Sequence, residues 1–259
     1  MKYSFLGILV LIFSVFAACG ANIFSTAQEI DMGADFAGEI EKNTKILDNI
    51  EWNGYINDIG QRIVAVSDRQ DIEYHFKIID DDSTVNAFAL PGGYIYVYSG
   101  LLLKADNEAE VAAVLAHEVG HVVGKHGVKQ LTKMYGYQFI VALALGEDPS
   151  LLEQIAADVL GGVGMLYYGR DNEYESDEFA VKYIYILGYD PNAIVTFFNK
   201  LSEFQTKDPS YIEKLMSTHP QPADRIKKVQ EKIALLPPKE DLVLNTELYR
   251  QRLKRLYIK

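Results

Sequence analysis

One stretch of the chain, residues 107–127, combines a helical pattern with two histidines that are four positions apart. It reads NEAEVAAVLAHEVGHVVGKHG. Asn107 can cap the N-terminus of a helix, and Glu108 and Glu110 suit the positive end of the helix dipole. An apolar run of Ala, Val and Leu follows, and Gly124 offers a place for the helix to end. The stretch therefore predicts one helix.

The histidine pair in this helix predicts a metal site. His117 and His121 are one helical turn apart, so their imidazoles lie on the same face and can bind one zinc ion. Glu118 projects from the adjacent flank, where it can reach a metal-bound water. A chance H-E-x-x-H match is expected in fewer than about 1 in 100 chains of this length. The motif therefore predicts a zinc hydrolase.

The pattern needs a third protein ligand. The metzincin pattern requires a histidine at position 127, but the residue there is Gly127, and His126 comes one position early. A slip of one residue turns a helical side chain by roughly 100°, so His126 is not predicted to be a ligand.

Glu173 is the better candidate for the third ligand. Glu173 and Asp177 are four positions apart on one helical face, so Glu173 can complete the set while Asp177 accepts a hydrogen bond from a ligand histidine. Glu175 lies on a different face and is not predicted to bind metal. The alternative is that these three carboxylates form an acidic surface cluster.

Composition narrows the class of protein. The chain has 259 residues, of which 49% are hydrophobic, enough for one good core. Its net charge of −11 argues against nucleic acid as a partner, because phosphate binding needs a basic surface. The single cysteine, Cys19, excludes an intramolecular disulfide.

The N-terminus predicts export. Lys2 and the apolar run at residues 5–16 are typical of a secretory signal, so residues 1–18 are predicted to be a signal peptide and 19–259 one domain. Small residues before Cys19 resemble a bacterial lipobox, which implies a lipidated cysteine and a periplasm-facing outer-membrane lipoprotein. The alternatives are a soluble periplasmic protein with Cys19 incidental, or an uncleaved single-span anchor.

Three short strands are predicted before the metal helix. Their ranges are 73–80, 85–90 and 94–99, with Pro91, Gly92 and Gly93 forming a turn. An antiparallel meander beside the helix is the economical arrangement. Tyr94–Ser99 is then a candidate edge to which an extended peptide substrate adds as a strand. The alternative is that Tyr94–Ser99 is an interior strand.

Four stretches in one order carry a family resemblance. They are NAFALPGGYIYVYSGLL at 86–103, AHEVGH at 116–121, RDNEYESDEFA at 170–180 and STHPQPADRI at 217–226. Together they resemble the HtpX/BepA-like zinc peptidases, which are gluzincins related to the CAAX prenyl endopeptidases and the Oma-type mitochondrial proteases. One departure is Ser176, where the family motif usually has alanine.

The resemblance implies an α+β, mainly helical gluzincin domain and one Zn²⁺ per chain. It assigns the ion to His117, His121 and Glu173, with Glu118 as general base. It also places His219 near the metal, either stabilising the oxyanion or gating the zinc, although His219 could simply cap a helix before Pro220.

Arg225 then holds the loop that carries His219 or contacts the substrate. The expected function is a cell-envelope zinc endopeptidase that cleaves misfolded or misassembled envelope proteins and is held at the membrane by a lipid anchor. One rival is a latent chaperone-like or scaffold lipoprotein with a mostly closed zinc site. Another is a processing protease for a lipidated peptide, which lacks support because the multi-span helices of such enzymes are missing from the sequence.

Overall fold

A computed structural model of the protein describes residues 25–134, 149–161, 168–207, 209–219 and 224–256. The predicted signal peptide at 1–18 and Cys19 lie outside these residues. No helix within the described ranges is both long enough and apolar enough to cross a membrane.

The described residues form an α+β domain that is mainly helical, as predicted. The first half contains α1 (Thr26–Asn43), α2 (Ile50–Ala65), β1 (His75–Ile79), β2 (Ala87–Ala89), β3 (Tyr94–Tyr98), α3 (Ser99–Lys104) and α4 (Glu108–Val123). The second half contains α5 (residues 126–134), α6 (Pro149–Gly161), α7 (Arg170–Ile186), α8 (Asn192–Lys207), α9 (Glu213–Thr218), α10 (Asp224–Ala234) and α11 (Thr246–Leu256).

The sheet has three strands in the order β1-β3-β2. β2 and β3 are antiparallel, as predicted, but β1 pairs parallel with β3, so the fully antiparallel meander is wrong. The loop after β1 explains the difference, because the Asp82 carboxylate accepts a hydrogen bond from Ser99 Oγ at 2.6 Å and the Asp81 carbonyl accepts one from Gly100 N at 3.1 Å. This loop is held at the start of α3, so the chain enters the sheet again on the far side of β3.

The predicted peptide-accepting edge at Tyr94–Ser99 is also wrong. β3 is the central strand, and its residues Ile95 to Val97 have a strand partner on each side. Its backbone groups are therefore already in the ladder, and a substrate cannot add to them.

Helix α4 lies at the centre of the core. It begins after Asn107, whose side chain accepts a hydrogen bond from Glu110 N at 3.0 Å, and its residues are buried apart from Val114 and Val123. It packs against α2, α7, α8 and the sheet, so side chains on several of its faces are removed from water. A polar residue in this helix therefore needs a partner from a neighbouring element.

Close approach of α4 and α7 positions the metal motif. A Cβ atom on Gly120 would lie 3.1 Å from Ser176 Cα, so glycine is what lets the two helix backbones meet at this point. The contact brings the face of α7 that carries Glu173 against the face of α4 that carries the histidine pair.

Glu108, at the start of α4, is a buried carboxylate with three hydrogen-bond donors. Tyr55 Oη and Tyr189 Oη each lie 2.6 Å from it, and Asn245 Nδ2 lies at 2.8 Å. Burial alone would raise the pKa of Glu108, but these donors outweigh burial and lower the pKa below its ordinary value.

Replacing Glu108 by glutamine is expected to lower the free energy of unfolding at pH 7 by about 1–3 kcal/mol, because the amide cannot accept all of these hydrogen bonds. A lowered folded pKa means that the contribution is fully present above the unfolded pKa, about 4.3, and is lost as the pH falls through the folded pKa. Urea unfolding of both proteins at pH 7 and in acid checks this. Glu203→Gln, on the exposed face of α8, is the control, and an equal difference between wild type and Glu108→Gln at every pH would contradict the argument.

Candidate metal centre

Four side chains from three parts of the chain converge beside α4. His117 and His121 come from α4, Glu173 from the first turn of α7, and His219 from the residue after α9. One nitrogen or oxygen of each lies within 4.8 Å of the corresponding atoms of the others. Three imidazoles and a carboxylate are a donor set that zinc binds in proteins.

The shorter distances define the centre of the cluster. His117 Nε2 and His121 Nε2 are 3.0 Å apart, and each is 3.5 Å from an oxygen of Glu173. His219 Nδ1 lies 3.1 Å from Glu173 Oε1, while its buried Nε2 makes no hydrogen bond to any residue that the structure describes. Ligand-type atoms that face one another in a buried site fit a metal ion, which would satisfy them.

Asp177 lies behind His117. His117 Nδ1 is 3.0 Å from Asp177 Oδ1, on the opposite side of the ring from the cluster. Arg225, at the start of α10, donates to both oxygens of Asp177, from Nε at 2.8 Å and Nη2 at 2.7 Å, and its Nη1 lies 2.7 Å from Glu173 Oε2. Arg225 is thus buried against two carboxylates of the site.

Glu118 is buried next to the cluster but is not part of it. Its Oε1 lies 3.6 Å from His219 Nε2, and the backbone of Ala89 in β2 hydrogen-bonds to its carboxylate. Burial raises the pKa of Glu118 above its ordinary value, although His219 and His117 oppose the effect. A carboxylate with a raised pKa is suited to take up and release a proton near neutral pH.

Burial and neighbouring charges set the protonation states of the remaining groups. Burial alone would raise the pKa of Glu173, but His219 and Arg225 hold it well below its ordinary value, and burial lowers the pKa of His121. Burial also acts to lower the pKa of His117, but Asp177 and Glu173 outweigh it and raise the pKa to about 9. At neutral pH Glu173 is therefore a carboxylate and His121 a neutral imidazole, while His117 must release a proton to bind metal.

The position of His219 agrees with both interpretations that the sequence left open, a helix cap and a residue near the metal site. It is the residue that ends α9, with its backbone N donating to Leu215 O at 2.7 Å, and its side chain is buried in the cluster. The helix cap and the place near the metal site are therefore compatible.

Two residues beside the cluster were missed as neighbours of the site. Tyr168 stacks on His121, with ring centroids 3.9 Å apart, and no local pattern in the sequence marks it. His126 was rejected as a ligand, and its ring lies beyond His121, away from Glu173, with Nδ1 2.9 Å from His121 Nδ1. The signal available in the sequence was the histidine itself. The sequence argument, however, assumed that the helix continues through residue 126, which turns this side chain away from the metal.

An apolar cavity opens beside the cluster. His117, Glu118 and His219 form one part of its wall, and side chains of α3, α4, α7, α8, α9 and α10 supply the rest. The apolar side chains that line it include Leu101, Val114, Ile194, Phe197, Phe198 and Leu201. An apolar pocket next to a polar centre is the usual form of a small-molecule or side-chain binding site.

Comparison with known proteins places the chain. A model of peptidase family M48 matches residues 51–233. The beta-barrel assembly-enhancing protease of Escherichia coli (strain K12) is 27% identical over 226 residues, which are 84% of this chain and 46% of that protein. The mitochondrial metalloendopeptidase OMA1 of Schizosaccharomyces pombe is 32% identical over 177 residues, which are 68% of this chain and 52% of that protein.

The metalloprotease YcaL of Escherichia coli (strain K12) is 28% identical over 155 residues, which are 59% of each chain. The chain thus spans about half the length of these relatives. The matches confirm the resemblance to HtpX/BepA-like enzymes. Because the family model covers most of the chain, including α4, α7 and His219, the protein belongs to peptidase family M48.

Proposed function

We propose that the protein is a zinc-dependent endopeptidase of the bacterial cell envelope. One Zn²⁺ per chain is held by His117, His121 and Glu173, and Glu118 is the general base. The observation that carries this proposal is the convergence of the ligand atoms within 4.8 Å of one another, with the buried carboxylate of Glu118 next to them.

The chemistry is hydrolysis of a peptide bond. When bound, the ion held by His117, His121 and Glu173 would polarise the scissile carbonyl of the substrate and lower the pKa of the attacking water. Glu118 accepts the proton of this water and delivers it to the leaving amine, a cycle for which its raised pKa suits it. The His219 ring, 3.6 Å from Glu118 Oε1, donates a hydrogen bond to the negative oxygen that develops on the substrate.

Asp177 and Arg225 orient the ligands and do not react. Asp177 Oδ1 lies 3.0 Å from His117 Nδ1, and this contact holds the ring with Nε2 directed at the metal. Arg225 holds Asp177 with two hydrogen bonds and balances the charge of Glu173. Its position between the two carboxylates supports a role within the site over direct contact with substrate.

The proposed substrates are misfolded or misassembled envelope proteins. Support comes from a relative named as a beta-barrel assembly-enhancing protease and from the signal-like segment at residues 1–18. In this proposal residues 19–259 are the peptidase domain, and a lipid on Cys19 anchors it to the outer membrane on the periplasmic side. A soluble periplasmic form, with Cys19 unmodified, is the alternative.

A second candidate function has one observation in its favour. His219 is close enough to join the ligand set. A fourth protein ligand would then occupy the coordination position that the attacking water needs. The protein would then be a latent chaperone-like or scaffold lipoprotein with a closed zinc site. Activity that survives loss of the general base would favour this candidate.

The apolar cavity predicts which peptide bonds are cut. We expect the zinc-loaded protein to cleave unfolded proteins next to large apolar residues, because the cavity between α4 and α8 is lined mainly by apolar side chains. Mass spectrometry of the products, with and without a zinc chelator, measures the preference. Val114→Phe narrows the cavity and should lower the cleavage of leucine sites relative to alanine sites by about 10-fold or more.

Val123→Phe is the matched control, since it makes the same change at the other half-buried valine of α4, outside the cavity lining. Cleavage that continues after complete zinc removal would contradict the proposed function. Cleavage with no preference for apolar residues, or an equal effect of the two valine variants, would contradict the role of the cavity.

A further inference from the structure

Two further side chains, those of His126 and Glu175, form a hydrogen-bonded series behind the His121 ring. Its Nε2 belongs to the proposed metal cluster, while its Nδ1 lies 2.9 Å from Nδ1 of His126. His126 is completely buried, and its Nε2 lies 3.0 Å from Oε2 of the half-exposed Glu175. This series of contacts therefore extends from the metal cluster to the protein surface.

Metal binding determines which ring nitrogen of His121 and of His126 carries a proton. A neutral His121 that binds metal through Nε2 carries its proton on Nδ1. Among the described residues its hydrogen-bond partner is His126 Nδ1, which must then accept, so His126 carries its own proton on Nε2. The Nε2–H group of His126 then donates a hydrogen bond to the Glu175 carboxylate.

We infer that His126 and Glu175 are positioning residues that fix the tautomer and orientation of His121 through a carboxylate–imidazole–imidazole relay. The inference rests on the proposed metal site. It gives the two ligand histidines different supports, because Asp177 acts directly on His117, whereas Glu175 acts on His121 through a second imidazole.

Gly124 provides the space that the relay requires. A Cβ atom at this position would lie 2.3 Å from Nε2 and 2.7 Å from Cε1 of the His126 ring. The backbone of Gly124 is right-handed, with φ −71°, so its conformation alone does not require glycine. Steric exclusion by the imidazole is thus the reason that a side chain is not tolerated here.

Ser176 is compatible with the same proton arrangement. Its buried hydroxyl lies 3.3 Å from His126 Nδ1, on α7 next to Glu175. A hydroxyl can donate to an unprotonated Nδ1 or accept from a protonated one, so this contact fits the relay without determining it. Ser176 is also the position at which this chain departs from the alanine usual in the family motif.

The test is zinc affinity, measured by competition with a chromophoric chelator. His126→Leu removes the acceptor and should weaken zinc binding by about 10- to 100-fold, the loss typical of outer partners of metal ligands. His126→Asn is the matched control, because its amide oxygen can replace Nδ1, and it should retain most of the affinity. Gly124→Ala should weaken binding like His126→Leu, since it displaces the ring.

Glu175→Ala should have a smaller effect, because water can replace a half-exposed carboxylate. Circular dichroism and urea unfolding of the zinc-free variants separate loss of fold from loss of metal. Equal affinity in wild type and His126→Leu would overturn the relay and leave the proposed function intact. Equal losses in His126→Leu and His126→Asn in folded proteins would overturn the acceptor role.

Nitrogen-15 NMR of the imidazole rings gives a second readout, which a purely structural role would not determine. In the zinc-loaded protein we expect His126 to carry its proton on Nε2. A proton on Nδ1 would overturn the relay, because His126 would then donate to His121. Failure of the wild type to bind zinc would overturn the proposed function as well, and both measurements are independent of peptidase activity.

Discussion

Replacement of Glu118 by glutamine is expected to lower peptidase activity by at least about 10²- to 10⁴-fold, the range typical of a lost general base. The amide keeps the size and burial of the side chain but cannot accept the proton of the attacking water. Glu118 is outside the group of ligand atoms, so the variant should keep about one zinc per chain. The predicted result is therefore an inactive protein with a filled metal site.

The measurement pairs zinc content with the rate of cleavage of an unfolded protein. Glu203→Gln, which makes the same change on an exposed face of α8, is the control and should leave both unchanged. Loss of zinc from Glu118→Gln would mean that Glu118 is a ligand. Full biological activity of Glu118→Gln would favour the latent or scaffold function over the peptidase.

Local patterns were enough to select side chains that the structure brings together. The H-E-x-x-H motif in α4 and the spacing of Glu173 and Asp177 in α7 each depend on the helical repeat, which is set within one or two turns. In the structure the two helical faces meet, and Asp177 lies behind His117. What the sequence could not give is the close approach at Gly120, because it depends on how two distant helices pack.

His126 shows why extrapolation along a helix fails. The sequence argument treated 107–127 as one helix and turned His126 about 100° away from the metal. In the structure α4 ends at Val123, and Lys125 takes a left-handed conformation with φ 54° before α5 begins. This reversal returns the His126 ring to the back of His121, so the conclusion that it is not a ligand agrees with the geometry although the path differs.

The sheet was predicted less well, because strand order depends on contacts between distant residues. The three strands were found near their predicted positions, and the tight turn at Pro91–Gly93 joins β2 to β3 as an antiparallel pair. The placement of β1 depends instead on Asp82 binding Ser99, a contact 17 positions apart in the chain. No periodic pattern records such a contact.

Replacement of Glu173 by alanine is expected to abolish stoichiometric zinc binding, with a loss of affinity above the roughly 100-fold typical of outer partners. The variant removes an oxygen donor from the centre of the cluster and takes one carboxylate partner away from Arg225. The positive charge of Arg225, near the two ligand imidazoles, then repels the metal ion. Wild type should bind about one zinc per chain, and Glu175→Ala should do so as well, because its carboxylate contacts His126 and not the cluster.

Metal analysis of the three purified proteins after dialysis against excess zinc gives the stoichiometry. Circular dichroism of each protein shows whether the variant is folded, which matters because Glu173 is a fully buried charge paired with Arg225. Zinc retained by Glu173→Ala and lost by Glu175→Ala would mean that the wrong face of α7 has been assigned to the metal. Zinc absent from wild type would remove the basis for Glu118 as a general base, because no activated water would stand beside it.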